Sequence, residues 1–173
     1  MKPAADFEQT IECLKQISLF KEMTQDRSAL EQIAKLFATV FFNKGELVIE
    51  ERQSGDSMYI IKSGTVEVIK KTKQGEPYVV VDLTADKHSF FGELALLDPD
   101  ERSATVRCKT DCEFYTLQRD EFIKYGNENP LYGLLITREI SKILCKRLRR
   151  SNVDIITLFD ALVEEVEKSG GIQ

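Results

Sequence analysis

The stretch FFGELALLDPDERSATV, residues 90–106, holds the side chains best suited to chemistry in this chain. Gly92 lets backbone approach a ligand closely, since it carries no Cβ. The run ELALL after it can make one helical turn, whose leading amides would point at an anion. Arg102 offers the planar fork that grips a phosphate in two places, which a lysine cannot. Glu93, ionised, can only accept hydrogen bonds; a phosphate would repel it and a sugar hydroxyl would suit it. An acidic residue for a ribose and an arginine with amides for a phosphate together describe a nucleotide held by its sugar and phosphate. A plain surface ion pair between Glu93 and Arg102 would use the same two residues with no ligand, and the pair alone does not choose.

Something must hold that loop in place, and the pattern on either side of it is β. From about 38 to 118 the chain breaks into seven short β-rich runs: ATVFFNKG, ELVIEE, SMYIIKSG, TVEVIKKTK, YVVVDL, SATVRCKT and CEFYTLQ. Gly45, Gly55, Gly64, Gly75 and Gly92 lie at or near their junctions, as tight turns require. Many short strands with regular turn signals predict a sandwich, barrel or jelly roll. Before them, Phe7, Ile11, Leu14 and Ile17 recur at helical spacing, as do Leu30, Ile33 and Phe37. LFKEMTQD between these helices reads as a turn, with Thr24 or Asp26 capping the second helix. After the strands, RDEFIKYGNEN predicts a short helix, and Pro130 opens a long one running to about Lys168. The fold class expected is mainly β with flanking helices: a double-stranded, jelly-roll-like β-helix over residues 1–130 and a long C-terminal helix over 131–173.

The long helix carries a heptad seam, with Ser141, Leu148, Ile155 and Leu162 at a and Leu144, Ser151, Leu158 and Glu165 at d. A single helix packed along its own domain would explain the apolar positions. A parallel two-stranded coiled coil in a homodimer would explain them too, with Ser151 and Asn152 interrupting it. The expectation is the dimer, because so long a segment projects beyond a small β domain. The basic cluster Lys142, Lys146, Arg147, Arg149 and Arg150 is read as a solvated face.

Composition removes several classes. At 173 residues the chain can bury one proper core, and 42% hydrophobic with 31% charged residues is ordinary for a globular protein. No apolar run reaches the roughly 18 residues of a membrane span. The N-terminus MKPAADFEQTIEC lacks a signal-peptide apolar region, so a cytoplasmic location is expected. Four cysteines, Cys13, Cys108, Cys112 and Cys145, form no CxxC pair or disulfide framework, which fits a reducing compartment. A net charge of −5 argues against nucleic acid as main partner. A histidine-based metal site needs several histidines and the sequence has one, His88, so no metal or cofactor is expected. Cys108 and Cys112 read as small buried hydrophobes or edge thiols. No Ser-His or Cys-His pair is supported, so the chain is read as a binding module rather than an enzyme.

FGELALL followed by RSATV resembles the phosphate-binding cassette of cyclic nucleotide-binding domains, as found in regulatory subunits of cAMP-dependent protein kinase and in bacterial catabolite activators. The likeness extends to LKQISLFKEMTQDRSALEQIA, similar to the family's N-terminal helical segment. It continues in GELVIEERQSGDSMYIIKSGTVEVIKK, similar to its first β-roll strands, and in NPLYGLLITREISKILCKRLRRSN, similar to the start of its C-helix.

This resemblance implies that Glu93 accepts from the ribose 2′-hydroxyl and that Arg102 pairs with the cyclic phosphate. Amides near Gly92, Leu94, Ala95 and Ser103 would complete the phosphate cradle, and the Ser103 hydroxyl would add a contact. Val68, Val80 and Leu83 fall where the family lines sugar and base, although core packing would also explain them. Ser151 and Asn152 match positions where dimeric bacterial members touch the adenine. The Glu93-to-Arg102 spacing is the kinase-like one, and RSA in place of RTA favours cAMP over cGMP. The bacterial regulators continue into a DNA-binding domain, for which EKSGGIQ leaves no residues, so a sensor for an unknown protein effector is expected. A ligand-free scaffold that kept the fold, or a sensor of cGMP or a cyclic dinucleotide, stays open.

Overall fold

Alternating apolar residues fold into eight antiparallel strands in two four-stranded sheets. The computed structural model describes residues 4–98 and 100–170. The strands are β1 (Ala38–Phe42), β2 (Leu47–Ile49), β3 (Ser57–Ser63), β4 (Thr65–Lys71), β5 (Pro77–Thr84), β6 (Phe90–Phe91), β7 (Thr105–Cys108) and β8 (Cys112–Gln118). One sheet runs β1-β8-β3-β6 and the other β2-β7-β4-β5. Apolar residues from the two sheets meet in one cluster: Ile61, Phe91 and Phe114 from the first, with Cys112, and Val66, Val106 and Cys108 from the second. The cysteines thus act as small core residues, and burial pushes the Cys108 thiol up to about 12.

Seven of these strands coincide with the runs legible in the sequence. The eighth, β6, is two residues long and too short to show alternation; it pairs Phe90 with Ile60 and Phe91 with Tyr59.

Two helices precede the sheets, α1 (Ala4–Gln16) and α2 (Arg27–Ala34). Their apolar faces meet in a buried layer of Ile11, Leu14, Leu30 and Ile33, and the Phe20 ring stands edge-on to Phe37. Asp26 caps α2 by accepting from the Ala29 amide at 3.0 Å. The segment expected as a plain turn is wound into a 3-10 helix, Ser18–Met23, because Leu19, Phe20 and Met23 all bury themselves there.

Beyond β8 the short helix α3 (Arg119–Glu128) turns directly into α4 (Pro130–Gly170). The two cross at glycines: a Cβ on Gly133 would lie 2.7 Å from the Gly126 Cα. The Tyr132 hydroxyl donates to the Asp26 carboxylate, joining the start of α4 to the cap of α2. The chain divides into two compact units, the first running to Thr137 and the second, a continuous helix, beginning at Arg138. Among the described residues no helix is long and apolar enough to cross a membrane.

Candidate functional site

The loop between β6 and β7 is shaped by its ends. Upstream, the Phe91 ring stacks on Tyr59 at 5.3 Å and meets Phe114 edge-on at 5.6 Å, so the loop leaves from an aromatic clamp. Gly92 follows in the left-handed region at φ 75°, a conformation that glycine adopts without strain. The chain then winds into a 3-10 turn, Glu93–Leu96, with Ala95 and Leu96 pointing into the protein. Downstream, Arg102 is fastened by its backbone: the Arg52 amide donates to its carbonyl and its own amide donates to the Gln53 carbonyl, each at 2.9 Å. Ser54 and Glu101 add an antiparallel bridge.

That fastening turns the Arg102 side chain inward. Its exposure is only 7%, and that of Glu93 is 1%. The guanidinium packs against backbone where two residues lack side chains. A Cβ on Gly55 would come within 2.1 Å of Nε, and one on Gly92 within 2.9 Å of Nη1. Nη1 donates to the Gly92 carbonyl at 3.4 Å and Nη2 to the Ser57 hydroxyl at 3.2 Å. Nε is buried with no hydrogen-bond partner. Among the described residues no carboxylate comes within 4.0 Å of the guanidinium. Burial pulls the Arg102 pKa down from its ordinary value, and the electrostatic influence of Tyr59, Asp56 and Glu93 offsets part of that. The guanidinium is held in a buried seat by neutral oxygens.

The other residues singled out in the sequence are distributed as follows. Leu94 is half-buried, and the Ala95 amide is already engaged with the Gly92 carbonyl at 3.2 Å. Ser103 is exposed. Val68 and Leu83 pack against the core between the sheets. Val80 differs: it is 52% exposed and lies at a β-bulge, where Val68 pairs with Val81 and Ile69 with Val79. An extra residue on one strand breaks the simple alternation, so Val80 does not share the setting of the other two. Ser151 and Asn152 are exposed on the second unit's helix. His88 is exposed and left-handed, at φ 49°. Gly55 and Ser57, the floor and one oxygen of the arginine's seat, were not among the sequence candidates. The SGDS turn containing them was read only as a strand boundary.

The profile of the cyclic nucleotide-binding domain matches residues 39–129, more than half of the chain. The chain belongs to the cyclic nucleotide-binding domain family.

Its relatives include regulators and cGMP-dependent protein kinases. A CRP-like cAMP-activated global transcriptional regulator of Mycobacterium tuberculosis is 28% identical over 131 residues, covering 76% of this chain and 56% of that protein. The cAMP-dependent protein kinase regulatory subunit of Schizosaccharomyces pombe is 37% identical over 97 residues, covering 56% of this chain and 22% of its own length. The chain therefore spans little more than half, or less, of these relatives. Among solved structures, the regulatory domain of Toxoplasma gondii PKA with cAMP superposes with a TM-score of 0.65 at 30% identity, covering 72% of this chain and 46% of that one.

Proposed function

We propose that the chain is a cyclic nucleotide sensor, with cAMP as its ligand, and not an enzyme. One observation carries the reading: Arg102 is a buried cation with an unsatisfied Nε and no carboxylate in contact. Desolvating a charge costs several kcal/mol unless it is paired. A cyclic phosphate arriving at this seat would supply the counter-charge and the missing acceptor together. Glu93, on the same turn, would accept from the ribose 2′-hydroxyl, and backbone amides at Gly92, Leu94 and Ser103 would complete the cradle. Ala95 would join once its amide leaves the Gly92 carbonyl. Val68 and Leu83 would face sugar and base. The cAMP links of the Mycobacterium, Schizosaccharomyces and Toxoplasma relatives favour cAMP.

In this reading the ligand biases an existing equilibrium and remakes nothing. Drawing the turn towards the phosphate moves Leu96 and Leu97, which line a cavity of about 320 Å³ with Phe122 and Ile123 of α3 and Gly133 of α4. The repacking of α3 and α4 would then alter the surface offered to a protein effector. The exposed apolar residues of α4, among them Leu148, Ile155, Leu158 and Leu162, would join two copies in a homodimer. A thermal-shift panel of cAMP, cGMP and cyclic dinucleotides tests the ligand, since a compound that binds the native state raises Tm. No shift with any of them would instead leave a scaffold without nucleotide control.

A further inference from the structure

Charge along the second unit's helix is divided lengthwise. Residues 138–150 carry six cations, Arg138, Lys142, Lys146, Arg147, Arg149 and Arg150, against one carboxylate, Glu139: a net +5. Residues 154–167 carry five carboxylates, Asp154, Asp160, Glu164, Glu165 and Glu167, and no cation: a net −5. Lys142 meets Glu139 and Glu164 meets Lys168 within the helix. The division between the halves remains.

The apolar surface is divided at the same place. In the acidic half Ile155, Ile156, Leu158, Phe159, Leu162, Val163 and Val166 are all exposed. At 3.6 residues per turn they sweep an arc of about 160°, far broader than an a/d seam. The basic half offers only Leu144, Leu148 and Cys145 on that side. These are flanked by Lys142, Arg147 and Arg149, whose long aliphatic stems can cover apolar surface while their charged ends stay in water.

From these two divisions we propose that α4 pairs with a second copy of itself antiparallel, basic half against acidic half. This rests on the reading of α4 as a dimerisation helix, and replaces the parallel arrangement that the heptad pattern suggested. A parallel in-register pair would set +5 beside +5 and −5 beside −5, and would lay the two broad apolar faces together while the basic halves met over a narrow seam. The antiparallel pair removes both mismatches. With the two-fold axis near Val153, Leu144 meets Leu162, Leu148 meets Leu158 and Ser151 meets Ile155. Residues 138–150 then lie along residues 156–168, with Arg and Lys stems over Ile156 and Val163. The single occupant is a second copy of this chain, because each half carries the complement of the other.

Spin labels on the exposed helix separate the arrangements. In a chain with Cys13→Ala and Cys145→Ser, labels at Glu167→Cys and, separately, Asp160→Cys are measured by pulsed dipolar spectroscopy alongside light scattering. The antiparallel pair places the labels about 45 Å apart at 167 and about 30 Å apart at 160, from a 1.5 Å rise per residue and adjacent helix diameters. A parallel pair gives about 20 Å at both. Equal short distances in a dimer would overturn the orientation and leave the dimer standing. A monomer by light scattering at high concentration would overturn the dimer and the orientation together.

Discussion

Gly55 and Arg102 are in contact so close that one added methyl on the glycine would lie 2.1 Å from the arginine's Nε. Forty-seven positions separate them in the chain, yet each explains the other: only bare backbone leaves room for the guanidinium there. Gly55→Ala is expected to push Arg102 out of its seat and weaken cAMP binding at least tenfold. The global fold should survive, since the crowded atoms belong to a side chain that can move, at a cost of about 1–3 kcal/mol. Titration calorimetry beside a thermal melt reads both quantities, and an unchanged affinity would show that the seat is not where phosphate binds.

Arg102→Ala removes the phosphate's partner outright. Charge-assisted hydrogen bonds contribute about 1.5–3 kcal/mol each, so roughly 2–4 kcal/mol of cAMP affinity should go, a Kd rise of about 30- to 900-fold. Arg102→Lys keeps the charge but not the fork and should fall in between. Equal affinities for wild type and Arg102→Ala by calorimetry would end the cAMP assignment.

Glu93 is assigned to the sugar, which a paired substitution can isolate. Wild type should bind 2′-deoxy-cAMP more weakly than cAMP by about 1.5–3 kcal/mol, the value of one hydrogen bond to a charged group. In Glu93→Gln the preference between the two ligands should shrink, since the charged acceptor is gone. A preference that survives the substitution undiminished would move the ribose contact elsewhere.

The α3–α4 crossing depends on two glycines facing each other. Gly133→Ala puts a Cβ 2.7 Å from the Gly126 Cα, where the obstacle is backbone and cannot rotate away. A loss of about 1–3 kcal/mol in stability is expected from overpacking, read as a lower midpoint in urea. An unchanged midpoint would mean that the crossing readily opens.

Asp26 gives a pH signature. The Tyr132 hydroxyl first, and then the Ala29 amide, hold its carboxyl below the ordinary carboxylate range. A depressed folded pKa means the stabilisation is present above the unfolded value and fades as pH falls through the folded one. Asp26→Asn should therefore flatten the acid limb of the stability profile while changing little of its shape above neutrality. Urea midpoints for both proteins across the acid range measure it, and parallel acid limbs would remove Asp26 from the account.

What could be read beforehand follows from the range over which each interaction acts. Asp26 as a cap and the strands punctuated by glycine are local, and local pattern reveals them. Glu93 and Arg102 could be singled out as candidates because they lie nine positions apart on one loop. Ser57 and Gly55 were not, since their role exists only once β3 is laid beside the loop. The bulge at Val80 was hidden for a related reason: it shifts the alternation by one residue and leaves no mark in composition. On α4 the a/d template captured the seam and hid the wider face, because Ile156, Phe159 and Val166 fall outside it.

The loop from Gly92 to Arg102 resembles an arch standing on two abutments. One is the aromatic clamp at Phe91; the other is the backbone seam joining Arg102 to residues 52 and 53. An arch with both feet fixed answers a load by changing its rise, not by swinging aside. In the proposed mechanism a pull applied near Arg102 would reach Leu96 and Leu97, which line the cavity beside α3.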